Sequence, residues 1–161
     1  REQLQAQIVA EGLTDKVCLL GRVPDDELAD YFGACELYCL SSIYRTEAFA
    51  IVQVEAMSCG KPVVATTISG SGVSWVNQSG YSGLNVEPCS SLELARAIED
   101  VCDDPQTYDS FSRQARRRFE QQFQFQEMIN SCIKLYKKAS NGKTNNDARD
   151  VAGNENLQTN V

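Results

Sequence analysis

Two carboxylates carry the chemistry this sequence could do. Glu47 and Glu55 lie eight positions apart in Glu47-Ala-Phe-Ala-Ile-Val-Gln-Val-Glu55, with a mostly apolar run between them. On a helix of about 100° per residue, eight steps turn through roughly 800° and leave the two side chains about 80° apart. With Glu47 at the helix mouth and Glu55 about two turns deeper, both can address one elongated ligand along that flank. A helix mouth also offers unpartnered N–H groups and the positive end of the dipole, which suit a phosphate. The pattern fits a ligand carrying both hydroxyls and phosphates, such as a nucleotide sugar.

Other residue types narrow the choice. Histidine is absent, which removes Ser-His-Asp and Cys-His nucleophile systems and His-ligated metals from this sequence. Cysteines stand at 18, 35, 39, 59, 89, 102 and 132, an odd number with no C-x-x-C pair, so neither a zinc knuckle nor a redox pair is supported. They read as reduced, mostly buried thiols of a cytoplasmic protein. A net charge of −7 argues against a general binder of nucleic acid or anionic membrane. No apolar run approaches the ~20 residues that span a bilayer, and no signal-like region opens the chain. The chain does not begin with Met and is taken as a segment of a longer protein.

The elements that must position the carboxylates alternate. A helix is expected over residues 1–11, ending at Gly12, and a buried strand over Val17–Leu20. Asp25 or Asp26 can cap a helix running through Phe32. Leu37–Leu40 reads as a second strand, and Thr46 as N-cap of a helix over 47–58, stopped by Gly60 and Pro62. Val63–Thr66 is a third strand, the Ser-Gly-rich segment 69–73 a flexible turn, and Gly83–Val86 a fourth strand. A helix follows from Ser90 or Ser91 through Val101, and Pro105 opens a helical pair running to about Lys138. Strands alternating with helices predict an α/β fold with a parallel sheet. Residues 139–161, rich in Asn and without aromatics or period, read as a disordered tail.

The stretch Leu37-Tyr-Cys-Leu-Ser-Ser-Ile-Tyr-Arg-Thr-Glu47 through Glu55-Ala-Met-Ser-Cys-Gly60-Lys-Pro-Val-Val-Ala resembles the donor-binding segment of retaining glycosyltransferases of family 4. Val17-Cys-Leu-Leu-Gly21-Arg-Val-Pro, Gly83-Leu-Asn-Val-Glu-Pro and Asp104-Pro105 agree with that family in order and spacing. The resemblance covers roughly residues 1–138 and implies half of a GT-B enzyme, in which two Rossmann-like domains face each other across a cleft. In the Rossmann strand order 3-2-1-4-5-6, Val17–Leu20 would be strand three and Leu37–Leu40 strand four. The first two strands would then be missing, and the chain alone is expected to be poorly stable or to re-pair its strands.

By resemblance, Glu47 is the catalytic-site carboxylate beside the donor hexose, and Glu55 accepts hydrogen bonds from the ribose hydroxyls. The backbone of Phe49, Ala50 and Ile51 approaches the diphosphate, while Gly21, Arg22 and Val23 hold the nucleobase. The family's usual Glu-Gly-Phe-Gly is here Glu47-Ala48-Phe49-Ala50. A Cβ restricts positive φ and close approach, so a weakened donor pose or a somewhat different sugar is expected. Arg45 is weighed as a phosphate ligand against a solvated loop arginine, and Trp75 is read as core or cleft wall. Arg113, Arg116, Arg117 and Arg118 are read as a solvated helix face.

The implied activity is transfer of a hexose, mannose or glucose, from a nucleotide-diphosphate sugar to a glycan or lipid-linked acceptor hydroxyl. Bacterial surface polysaccharide, including lipopolysaccharide, is the expected product class. No metal cofactor and no nucleic-acid partner are expected. The acceptor, and any contact with the inner face of the membrane, would be met through parts outside this sequence. Two other readings stay open: a truncated, non-catalytic donor-domain remnant or interaction module, and a nucleotide-sugar epimerase of GT-B fold.

Overall fold

The computed structural model describes the backbone of residues 1–154 and the side chains of residues 1–140. Its centre is β2 (Val63–Thr66), buried on both faces and paired in parallel with β1 (Tyr38–Leu40) on one side and β3 (Gly83–Val86) on the other. Val63 stands opposite Tyr38 and Gly83, which fixes the register across all three strands. A central parallel strand needs no polar face, and Val63-Val-Ala-Thr66 supplies none until its last residue. Strand alternation sends Val63 and Ala65 to one face and Val64 to the other. The first face packs on Met57, Val73, Val76 and Ala115, and the second on Ala97, Val101 and Phe111.

The helices supply those faces. α1 spans Glu2–Ala10, α2 Leu28–Ala34, α3 Ile51–Ser58 and the short α4 Val73–Val76. α5 (Ser91–Cys102) starts on the Ser90 hydroxyl, which accepts from Glu93 N at 3.3 Å. α6 (Pro105–Arg118) starts on Asp104, which accepts from Gln106 N and Thr107 N, with Pro105 placed where no N–H is needed. A π-helical turn over Phe119–Phe123 leads to α7, Phe125–Asn154.

β2 and β3 approach each other closely. A Cβ on Gly83 would lie 1.8 Å from Val63 O, so only glycine lets the strands pair there. Asn77, wholly buried, then pins the sheet to the turn after α4. Its amide nitrogen donates to Val63 O at 3.0 Å and Leu84 O at 3.1 Å, and its oxygen accepts from Ser82 Oγ at 2.9 Å.

Several sequence expectations are corrected. Val17–Leu20 is extended but is not a strand, because among the described residues it has no paired neighbour. Val17 and Leu20 are accordingly exposed. The second helix starts at Leu28 without a side-chain cap, so neither Asp25 nor Asp26 serves as one. The helix expected over 47–58 begins only at Ile51, and Thr46 does not cap it. None of the seven cysteines is fully buried, and five are exposed. Helix α7 runs on to Asn154, through much of the segment read as a tail, where no proline interrupts it; residues 155–161 lie outside those described.

Candidate functional site

The carboxyl ends of the three strands open onto a shallow crevice. One groove, of about 270 Å³, is lined by Ser41 and Ile43 after β1, Thr66 at the end of β2, and Glu87, Cys89 and Ser90 after β3. A second, adjoining groove is lined by Ser41, Ser42, Tyr44, Thr46 and Glu47. Thr66 Oγ1 donates to Ser42 O and so ties the loop after β1 to the end of the central strand.

Glu47 sits in this loop, not on a helix, with its N–H donating to Tyr44 O at 3.0 Å. The 80° separation expected of two helical carboxylates therefore does not apply. The charges of Glu47 and Glu55 are nevertheless both felt at one side chain. Tyr38 of β1 has its phenol pushed up to about 12, first by burial and then by the negative charges of Glu47, Cys39 and Glu55. Both carboxylates are half-buried. Tyr38 was not singled out in the sequence, where it read only as part of an apolar strand.

The chain enters α3 through Ala50, a buried residue in the left-handed region at φ 62° and ψ 64°. Ala50 thus adopts the backbone a glycine would take there, its Cβ notwithstanding. Gln53 N donates back to Ala50 O at 3.0 Å. The N–H groups of Phe49, Ala50, Ile51 and Val52 have no acceptor among the described residues. Four donors gathered at the start of a helix, just past the Glu47 that lines the second groove, suit an anion. Arg45, exposed, lies with its guanidinium against Gly70 on the neighbouring loop, 3.1 Å from where a Cβ would stand.

The loop is braced from α4. Gly72 N donates to Ala48 O at 2.7 Å, and Ser71 Oγ donates to Glu47 O and in turn accepts from Val73 N at 3.2 Å. A Cβ on Gly72 would stand 3.0 Å from Ala48 O. Phe49 packs its ring beside Trp75 and Phe123, at 6.0 and 6.4 Å between centroids. Trp75 is more than half exposed, a wall of this side and not core.

The arginine cluster is not uniformly solvated. Arg113, Arg116 and Arg117 are exposed, whereas Arg118 is buried and hydrogen-bonded to Trp75 O, Val76 O and Gln78 Oε1. The signal was available: Phe111, Ala115 and Arg118 fall at i, i+4 and i+7, the inward stripe of α6.

Gly21, Arg22 and Val23 line neither of the two grooves. Gly21 takes φ 76° beside the Arg1 guanidinium, and Arg22 is exposed. No hydrogen bond joins the three to Glu47 or Glu55 among the described residues. They belong to an N-terminal arm held by Arg1 Nη2 donating to Leu19 O at 3.0 Å. No group of three or more His, Cys, Asp or Glu converges among the described residues.

A parallel sheet with helices on both faces, and its crevice past the carboxyl ends of the strands, defines a Rossmann-like α/β protein. Within that class the chain belongs to the glycosyl transferases of group 1, a family whose match runs over residues 1–118. It is similar to O-antigen chain mannosyltransferase C of Escherichia coli, 30% identical over 137 residues, which are 83% of this chain and 36% of that protein. It is 33% identical to D-inositol 3-phosphate glycosyltransferase of Paenarthrobacter aurescens over 139 residues, 86% of this chain and 33% of that one. Among solved structures, Anabaena HepE in complex with UDP superposes with TM-score 0.75 at 30% identity, over 85% of this chain and 36% of that one. The chain spans about a third of the length of these relatives. The GT-B fold class expected from the sequence is therefore shown for this portion.

Proposed function

We propose that this chain is the donor-binding part of a retaining glycosyltransferase. It would take a hexose, mannose or glucose, from a nucleotide-diphosphate sugar and pass it to a hydroxyl of a glycan or lipid-linked acceptor. The observation that carries the reading is the mouth of α3, where unpartnered N–H groups from Phe49 to Val52 adjoin Glu47 and the crevice. The diphosphate would lie on those N–H groups, and the same groups would hold the charge that grows on it as the glycosidic bond breaks. Arg45, on the same loop as Glu47 and against Gly70, would add a positive charge to this side. Glu47 would receive the hexose hydroxyls and Glu55 the ribose diol, whose two donors a carboxylate accepts together. The reading assigns no metal cofactor.

The similar mannosyltransferase and the UDP complex of HepE support a nucleotide-sugar donor and a hexose. Surface polysaccharide, including lipopolysaccharide, is the product class this favours. Gly21, Arg22 and Val23, on the N-terminal arm, would hold the base. No helix among the described residues is long and apolar enough to cross a membrane, and any membrane contact would be made through parts outside this sequence. A cytoplasmic setting follows from the cytoplasmic supply of nucleotide sugars.

Calorimetric titration of the full-length protein with GDP, UDP and ADP tests the reading. Saturable binding of one nucleotide, weakened about tenfold or more by Glu55→Ala, is expected, since a lost charged hydrogen bond costs about 1.5–3 kcal/mol. No heat with any of the three would leave the non-catalytic remnant as the better reading.

A further inference from the structure

We infer that Arg118 is a positioning residue for the Glu47–Ala50 loop, and through it for the donor site. The first half rests on geometry alone, and the second rests on the reading above.

Arg118 ends α6 and is 6% exposed, yet no carboxylate among the described residues pairs with it. Its guanidinium is satisfied by neutral oxygens instead. Nε donates to Val76 O at 2.8 Å, Nη1 to Gln78 Oε1 at 3.2 Å, and Nη2 to Trp75 O. The Trp75 and Val76 carbonyls are the last of α4, which a helix end leaves without partners, and a cation is favoured there. The same guanidinium lies over the rings of Trp75, at 5.7 Å, and Phe123, at 5.5 Å. One side chain thus fixes the position of α4 and the attitude of two aromatic rings.

Both of those reach the loop. The N-terminal side of α4 holds the loop by main-chain contact, through Gly72 N on Ala48 O and Ser71 Oγ on Glu47 O. The two rings hold it by side-chain contact, because Phe49 packs against both. Ala50, the next residue, sets the left-handed entry to α3. A flat fork that bonds two carbonyls and an amide while lying against two rings is a task for arginine; a lysine ammonium offers a point charge without the planar face. Arg118 does not line the crevice, and it acts only through what it holds.

The test uses the full-length protein with Arg118→Met and Arg118→Lys. Hydrogen exchange is read at the amides of Glu47, Gln53 and Gly72, which are hydrogen-bonded in and around the loop, and at those of β2 as a reference. Arg118→Met is expected to speed the loop amides about tenfold or more while β2 keeps its protection, because local opening is not global unfolding. With the nucleotide sugar that supports turnover, donor KM is expected to rise about tenfold or more in protein that circular dichroism shows to be folded, as misplacement of a positioning loop implies. Arg118→Lys should restore only part of either loss. Loop exchange within about twofold of wild type, or an equal rise across loop and β2, overturns the inference and leaves Arg118 as an ordinary structural residue. Exchange confined to the loop with an unchanged KM overturns the second half. If wild type turns over no donor, the glycosyltransferase reading fails, and the exchange data alone decide whether Arg118 holds the loop.

Discussion

Ala50 concentrates the residue-scale chemistry of this site. It occupies a backbone region that disfavours any Cβ by about 1–2 kcal/mol, at the point where the chain turns into α3. Replacing it by glycine removes that penalty and adds back some unfolded-state freedom, so Ala50→Gly is expected to stabilise the protein by about 1 kcal/mol. Urea melts of the two proteins check this, and an equal or lower midpoint for the glycine variant would mean the conformation is not strained. Tyr38 gives a second, pH-dependent expectation. Its folded pKa of about 12 lies above the ordinary value of 10, so the native state favours the neutral phenol. The stability linked to that phenol is fully present below pH 10 and is lost as pH rises from 10 through about 12. Comparing denaturation of wild type and Tyr38→Phe across pH 9–11.5 isolates the contribution from that of the cysteines. The wild type should lose more stability than the variant above about pH 10, and parallel curves would remove the burial and the two glutamates as neighbours that matter.

At the scale of elements, much of the fold was legible in the sequence. Val63–Thr66 and Gly83–Val86 were readable as strands because a central parallel strand is a short apolar run bounded by turn residues. Ser90, Asp104 and Pro105 marked the starts of α5 and α6 through chemistry that is local to each cap. The errors fell where partners decide. Val17–Leu20 has the composition of a strand, but a strand needs a hydrogen-bonded neighbour, and none of the described residues provides one. The start of α3 was misplaced by four residues because Thr46 looked like an N-cap, while the chain stays in a turn until Ala50. The glutamate pair was legible as a candidate, but its electrostatic tie to Tyr38 was not, since that depends on how a loop folds over a strand edge. Arg118 was hidden among three solvated arginines, and only its register with Phe111 and Ala115 sets it apart.

The molecule as a whole divides into a packed sheet region and an arm. α1 covers Ile8 with its own following turn and makes no extensive contact with another helix or strand. Val17 is 41% and Leu20 51% exposed, although both are apolar. β1 forms one border of the sheet, and its far side has no strand among the described residues. In limited trypsin digestion of this chain, cuts after Lys16 and Arg22 are therefore expected well before a cut after Arg118, which is buried at the end of α6. Mass spectrometry of the early fragments reads the order. Simultaneous cutting at all three would mean that the sheet region does not persist without further strands beside β1.

The chain contains a single tryptophan, and it is Trp75. Its indole sits against the Phe49 side of the loop and beneath a fixed positive charge, so its excited state experiences the field of Arg118 directly. Any ligand that moves Phe49 alters that surrounding and, with it, the colour and intensity of the emitted light. Within this chain a ligand that displaces Phe49 would therefore report itself in the fluorescence of one native residue, with no dye attached and no residue replaced.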